Sequence, residues 1–182
     1  MKKWLPLIII VVLLIGLFRW GVGLNNTMVE KQETAKTQWA NVESAYQRRA
    51  DLIPNLVNTV KGYAGHEKET LEGVINARAN ATKTTIDPTN VTPEQMAAFQ
   101  ESQNTLSGAL SRLMVVAERY PDLKANQNFL ELQSQLEGTE NRINVERNRY
   151  NELAKDYNVY VRKFPASVVA NILNFDPLVL FE

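Results

Sequence analysis

Hydrophobic and polar positions divide the chain into one apolar run and three helical seams. The run is Trp4 to Phe18, WLPLIIIVVLLIGLF. Its 15 residues make about 22 Å of helix at ~1.5 Å each, short of a ~30 Å hydrocarbon core. Continuing past Arg19 to Leu24 gives 21 residues and about 31 Å, enough to span. Arg19 then lies near one end, where a long side chain reaches the headgroups, and Trp4 and Trp20 mark the two rims. From Met28 apolar positions recur every three or four residues: Met28, Gln32, Ala35, Trp39, Val42, Tyr46, Arg49, Ile53, Leu56, Val60, Tyr63. That spacing is the stripe of a packed helix, with Gln32, Ala35 and Arg49 off-type. Pro54 removes a ladder hydrogen bond and predicts a kink or break near residues 50–53. The phase lapses across residues 65–70 and resumes at Leu71, Val74, Ile75 and Ala79. The reading favoured for 28–82 is one kinked helix, against a turn at Gly62–Gly65 or a break at Pro54.

Residues 82–92, TKTTIDPTNVT, read as a loop centred on Asp87-Pro88. Thr92-Pro93-Glu94-Gln95 is a helix start, with Thr92 as N-cap, Pro93 in the first helical position and Gln95 three residues beyond the cap. The second seam follows: Met96, Phe99, Gln103, Leu106, Leu110, Leu113, Ala117, Tyr120. Tyr120-Pro121-Asp122 closes it. The third is Phe129, Leu132, Leu136, Thr139, Ile143, Glu146, Tyr150, Leu153, Tyr157, Tyr160, Phe164, ended by Pro165. The fold class expected is all-α: an N-terminal transmembrane helix, residues 1–25, then an up-and-down antiparallel bundle of long helices over 26–175, then an apolar tail at 176–182.

Composition narrows the chemistry. Zero Cys and one His remove disulfides, thiol catalysis and most metal sites, and no cofactor is expected. The first 25 residues hold three of the 20 basic residues and no acid, leaving 17 basic against 20 acidic downstream. Such a body has no footprint for nucleic acid. Lys2 and Lys3 favour a cytoplasmic N-terminus and place the bundle outside the inner membrane, in the periplasm of a Gram-negative cell. A cleavable signal peptide is the rival reading, but no A-x-A pattern precedes Asn25.

Each constellation has a plainer reading beside it. His66-Glu67 lacks a second His, since position 70 is Thr, and reads as surface. The acids Glu67, Glu69 and Glu72, and Glu131, Glu137 and Glu140, read as solvated faces. Arg49 and Glu146 are the charged seam positions. Setting Tyr63 opposite Phe129 brings Glu146 within a turn of Arg49, a candidate buried polar pair, against the alternative that both bend out to water. The six tyrosines read as core with hydroxyls at the rim. Leu178, Val179, Leu180 and Phe181 are too apolar for a free tail. The segment 167–181 reads either as a cap closing the end of the bundle or as a docking segment for another subunit or the membrane surface. Asp176-Pro177 splits it, so 167–175 can cap as a short helix, and Leu178–Phe181 are expected as assembly contacts with a neighbouring copy rather than with the bilayer interface.

Several strings resemble the LemA family of bacterial membrane-anchored proteins: RRADLIPNLVN at 48–58, VKGYAGHEK at 60–68, AERYPDLKANQNFLELQSQLEGTENRIN at 117–144, RYNE at 149–152 and DYNVYVRKFPASVVAN at 156–171. With NTMV after the anchor they cover about 26–175. Asn25 departs from the Tyr usual in the family. The resemblance implies a transmembrane segment followed by a four-helix up-and-down bundle, and supplies no catalytic residue. The function expected is a non-enzymatic scaffold held at the lipid bilayer that self-associates as a homo-oligomer and organises or shapes the envelope. The alternative is an adaptor for a membrane protein partner, an enzyme or peptidase.

Overall fold

A computed structural model describes residues 4–182. Lys2 and Lys3, on which the orientation rests, lie outside the described residues. Among those residues the fold is all-helical. α1 (Leu5–Tyr63) turns through Ala64–Glu67 into α2 (Lys68–Ala81). The loop at 82–92 leads to α3 (Pro93–Ala117), a single turn α4 (Pro121–Lys124), the long α5 (Gln127–Arg162) and α6 (Ala166–Leu173). α1 and α5 form the principal antiparallel pair, and α2 packs on α1 and α3.

Residues 28–82 are therefore two helices, not one kinked helix. α1 runs through Pro54 without ending. Pro54 has no N–H for the Ala50 carbonyl, and Arg78 of α2 replaces it, donating Nε–H to that oxygen at 2.7 Å. The reversal falls after Tyr63 instead. Glu67 N–H donates to the Ala64 carbonyl at 3.0 Å, and a Cβ on Gly65 would lie 3.1 Å from the Lys61 carbonyl oxygen. Because α1 stops there, Tyr63 faces outward, and α2 buries Leu71, Val74, Ala77 and Ala81 rather than Ile75 and Ala79.

The predicted start of α3 is realised. Thr92 Oγ1 accepts from Gln95 N–H at 3.2 Å, and Gln95 Oε1 accepts from Thr92 N–H at 2.9 Å. Every expected seam position from Met96 to Ala117 is buried. α5 starts on Asn126, whose Oδ1 accepts from Phe129 N–H at 3.0 Å. Its far end departs from the seam, because Phe164 lies beyond the helix and is 84% exposed.

The interior consists of two hydrophobic clusters. The distal one, away from the apolar run, joins Ile53, Leu56, Val57 and Val60 of α1 and Ala64 of the turn to α2, α3, α4 and the first part of α5. The proximal one joins Met28–Tyr46 of α1 to Ile86, Met96, Phe99, the second part of α5, Ala170, Leu178 and Phe181. Arg49 lies between the two stretches of α1.

Candidate functional site

Three regions carry the residues singled out by sequence: the apolar start of α1, the level of Arg49, and the tail. The first is a helix whose apolar window has no residue buried against the rest of the protein. Its exposed side chains run from Leu7 to Val22, with Trp4, Arg19 and Trp20 all exposed. Length and apolarity qualify it to cross a bilayer. At 59 residues, α1 is about 88 Å long, so one continuous helix carries both this segment and one wall of the bundle.

Arg49 is buried, 2% exposed, but its partner is Glu140 rather than Glu146. Nη1 donates to Glu140 Oε2 at 2.8 Å and to Ser107 Oγ at 2.8 Å, and Nη2 donates to Gln103 Oε1 at 2.6 Å. Gln103 Nε2 in turn donates to the Ala81 carbonyl at 3.0 Å. Arg49 Nε has no hydrogen-bond partner among the described residues. Glu140 is 47% exposed and keeps part of its hydration. The expected pairing fails on register. Asn126, not Phe129, lies opposite Tyr63 and donates to its hydroxyl at 2.9 Å. That shift of three residues, about 4.5 Å, moves Glu146 away along the axis. Glu146 instead accepts from Gln38 Nε2 at 2.7 Å and pairs with Arg142 at 3.6 Å. Glu140, read as part of a solvated face, is thus the anion of a polar layer between the two clusters. Gln38, Gln103 and Thr139 are the other buried polar residues among those described, and sequence did not single them out as a site. Of the other acids singled out, Glu67 accepts from Tyr120 at 3.0 Å and Arg119 at 3.2 Å, Glu131 accepts from Gln135 and Glu137 from Gln133. His66 is exposed in the turn after α1.

The tail overturns its expected role. Leu178 and Phe181 are each 5% exposed and belong to the proximal core, Val179 is half-buried, and only Leu180 faces out. Phe181 stacks on Trp39 with centroids 5.2 Å apart and 13° between planes, and meets Tyr150 edge-on at 5.7 Å. α5 holds the tail backbone in two equivalent grips. Asn158 donates to the Leu178 carbonyl at 2.8 Å and accepts its N–H at 2.7 Å. Asn151 does the same for Phe181, at 3.0 and 2.9 Å. The preceding tyrosines add a bond each: Tyr157 donates to the Asp176 carbonyl at 3.1 Å and Tyr150 to the Val179 carbonyl at 3.0 Å. Burial holds both hydroxyls protonated well above the ordinary 10, and Tyr157, with Asp176 nearby, is pushed up to about 12. The sequence signal was present and unread: Tyr-Asn occurs at 150–151 and again seven residues later at 157–158. Seven helical residues advance about 10.5 Å, a distance that three residues of chain cover only when extended.

The model of the LemA family matches residues 38–182. Protein LemA of Metamycoplasma hominis is 26% identical over 176 residues, which cover 96% of this chain and 77% of that protein.

Proposed function

Because the chain belongs to the LemA family, we propose that it is a non-enzymatic scaffold anchored in the bacterial inner membrane. Its N-terminus is cytoplasmic, and its bundle stands on the outer side. There it self-associates and organises or shapes the envelope. The observation that carries this reading is the continuity of α1: the apolar segment and the bundle wall are one helix, Leu5–Tyr63. A body built this way is fixed in orientation relative to its anchor, as a scaffold requires and a flexibly tethered domain is not. Lys2, Lys3 and the missing cleavage pattern support the orientation and the retained anchor. Confinement to a surface raises the effective concentration of copies and favours weak self-contacts.

The test is to image the full-length protein reconstituted with lipid and to measure particle size against concentration. Large, defined assemblies are expected. A monomer at every concentration refutes the scaffold and favours an adaptor for a membrane enzyme. Protease added outside spheroplasts should digest the bundle; a protected bundle or a mature N-terminus near Asn25 refutes the placement.

A further inference from the structure

The proximal end of the bundle exposes an apolar face that the fold leaves uncovered. α6 buries Ala166 and Ala170 against the core and turns its other side outward. Val168 is 51%, Ile172 71% and Leu173 48% exposed, beside Phe164 at 84%. Val168 and Ile172 lie one turn apart on one face of α6, and Phe164 lies in the link between α5 and α6. Elsewhere the exposed apolar residues of the bundle, such as Ile75, Val115, Leu130 and Val145, are dispersed along separate helices.

The position of this face identifies its occupant. Lys31 Nζ lies 5.9 Å from the Tyr160 ring centroid, which fixes the axial level of α5 against α1. α5 continues two residues past Tyr160, about 3 Å closer to the apolar run, and ends at Arg162 at the level of Val29, with Phe164 in the link beyond it. Leu24, where that run ends, is five residues further along α1, about 7.5 Å away. α6 packs on both α1 and α5 at this end, and Ala170 shares a cluster with Met28, the first buried residue of α1. The sequence on both sides of the face is basic over short windows, bounded by Asp156, Asp176 and Glu30. Residues 157–175 contain Arg162 and Lys163 and no acid, and residues 19–29 contain Arg19 and no acid. An apolar helix face beside cations, within two turns of a membrane-spanning segment, is the composition of an element lying in an anionic bilayer interface.

We propose that α6 and Phe164 form a second membrane contact. Phe164, Val168, Ile172 and Leu173 enter the boundary between headgroups and acyl chains, and Arg162 and Lys163 bind anionic headgroups. This inference rests on the reading of α1 as a membrane anchor. Its consequence is that the bundle is seated on the membrane and carries a wedge into the outer leaflet.

The absence of Cys allows single-site labelling of the full chain. Leu13→Cys, Ile172→Cys and Val115→Cys would each carry an environment-sensitive fluorophore, in vesicles of phosphatidylcholine and phosphatidylglycerol. Lipids spin-labelled near the headgroup should quench most of the emission at residue 172. Lipids labelled deep in the chain should quench residue 13, and neither should quench residue 115, at the distal end. Quenching at 13 without quenching at 172 overturns the inference and leaves the anchor standing. No quenching at 13 overturns the anchor reading and the inference with it. A fluorophore at 172 that is shielded equally in detergent, and not quenched by lipid, assigns the face to a second copy and also overturns the proposal. A second variant, Arg162→Gln with Lys163→Gln, leaves the core intact. It should reduce quenching at 172 in the anionic vesicles, and unchanged quenching refutes the electrostatic part.

Discussion

Phe181→Ala tests whether the tail is core or contact surface. The ring is nearly fully buried, stacks on Trp39 and meets Tyr150 edge-on. Arg147 covers it from outside, with its guanidinium 4.6 Å from the ring centroid. Truncating a buried phenyl ring costs about 3–5 kcal/mol, because transfer energy is lost and the cavity collapses only partly. The site has little freedom to collapse, since both backbone groups of residue 181 are held by Asn151. For a chain of this size, 1 kcal/mol shifts melting by about 2–4 °C, so the expected drop is about 6–20 °C. The control is Leu180→Ala, one residue away on the outward side, which should stay within about 0.5 kcal/mol of the parent. Melting would be followed by circular dichroism in detergent, with particle size measured on the same samples. The reasoning predicts a large melting shift for Phe181→Ala with unchanged particle size. Melting within about 2 °C of the parent, together with smaller particles, would show that residue 181 packs against a neighbouring copy and would refute the intramolecular assignment.

The polar grips should also be measurable. Asn158→Ala removes a donor and an acceptor from the Leu178 backbone and should cost about 1–3 kcal/mol, with faster hydrogen exchange at the Leu178 amide; unchanged exchange would refute the grip. Arg49 and Glu140 should couple by about 1–3 kcal/mol in a double-mutant cycle of Arg49→Met with Glu140→Gln. The same cycle with Glu146→Gln should be additive within about 0.5 kcal/mol, and coupling to Glu146 instead would refute the register. The raised tyrosine pKa values predict alkaline sensitivity. Folded Tyr150 and Tyr157 hold their protons where the unfolded chain has lost them, so their contribution is complete below about pH 10 and is lost as pH rises towards 12. Melting should fall across that window, and Tyr157→Phe should flatten the fall; a profile identical to the parent's would refute the linkage.

What was legible in the sequence was which face each helix buries. The second seam was read correctly at every position from Met96 to Ala117, because apolar residues at helical spacing and a capping box at Thr92 and Gln95 agree with one another. Axial register was not legible. A heptad seam repeats about every 10.5 Å, so sliding one helix by three or four residues presents another apolar layer. That degeneracy led to pairing Arg49 with Glu146, and it is resolved only by polar contacts such as Asn126 with Tyr63. Pro54 shows the same limit from another side. Sequence reports the lost N–H, but the donor that replaces it, Arg78, is a long-range partner. The tail's own residues show only that it is apolar; what grips its extended backbone is the Tyr-Asn repeat of α5, some 20 to 30 residues earlier in the chain.

That grip follows from unequal helix lengths. α5 has 36 residues, about 54 Å, and α2 has 14, about 21 Å. α2 meets α1 near Ala50, through Arg78, and ends three residues later at Ala81. Below that level α1 and α5 continue towards the apolar run without α2. The start of α3 covers part of Trp39 with Phe99, ring centroids 5.9 Å apart, and the rest of Trp39, Tyr150 and Tyr157 is left to the loop and the tail. The loop supplies Ile86, whose carbonyl accepts from Trp39 Nε1 at 3.0 Å. The tail supplies Leu178 and Phe181. An extended chain cannot satisfy its own backbone groups, so a helix that accepts one must offer side-chain donors and acceptors at a matching repeat. One heptad of α5 matches three extended residues of the tail, and Tyr-Asn recurs at that interval. The same bonds fix where α6 lies, since it is tied at one end to α5 and at the other to the gripped tail. The face carrying Val168 and Ile172 is therefore held by the proximal core, and cutting the strap should loosen the membrane-proximal end before it disturbs the distal cluster.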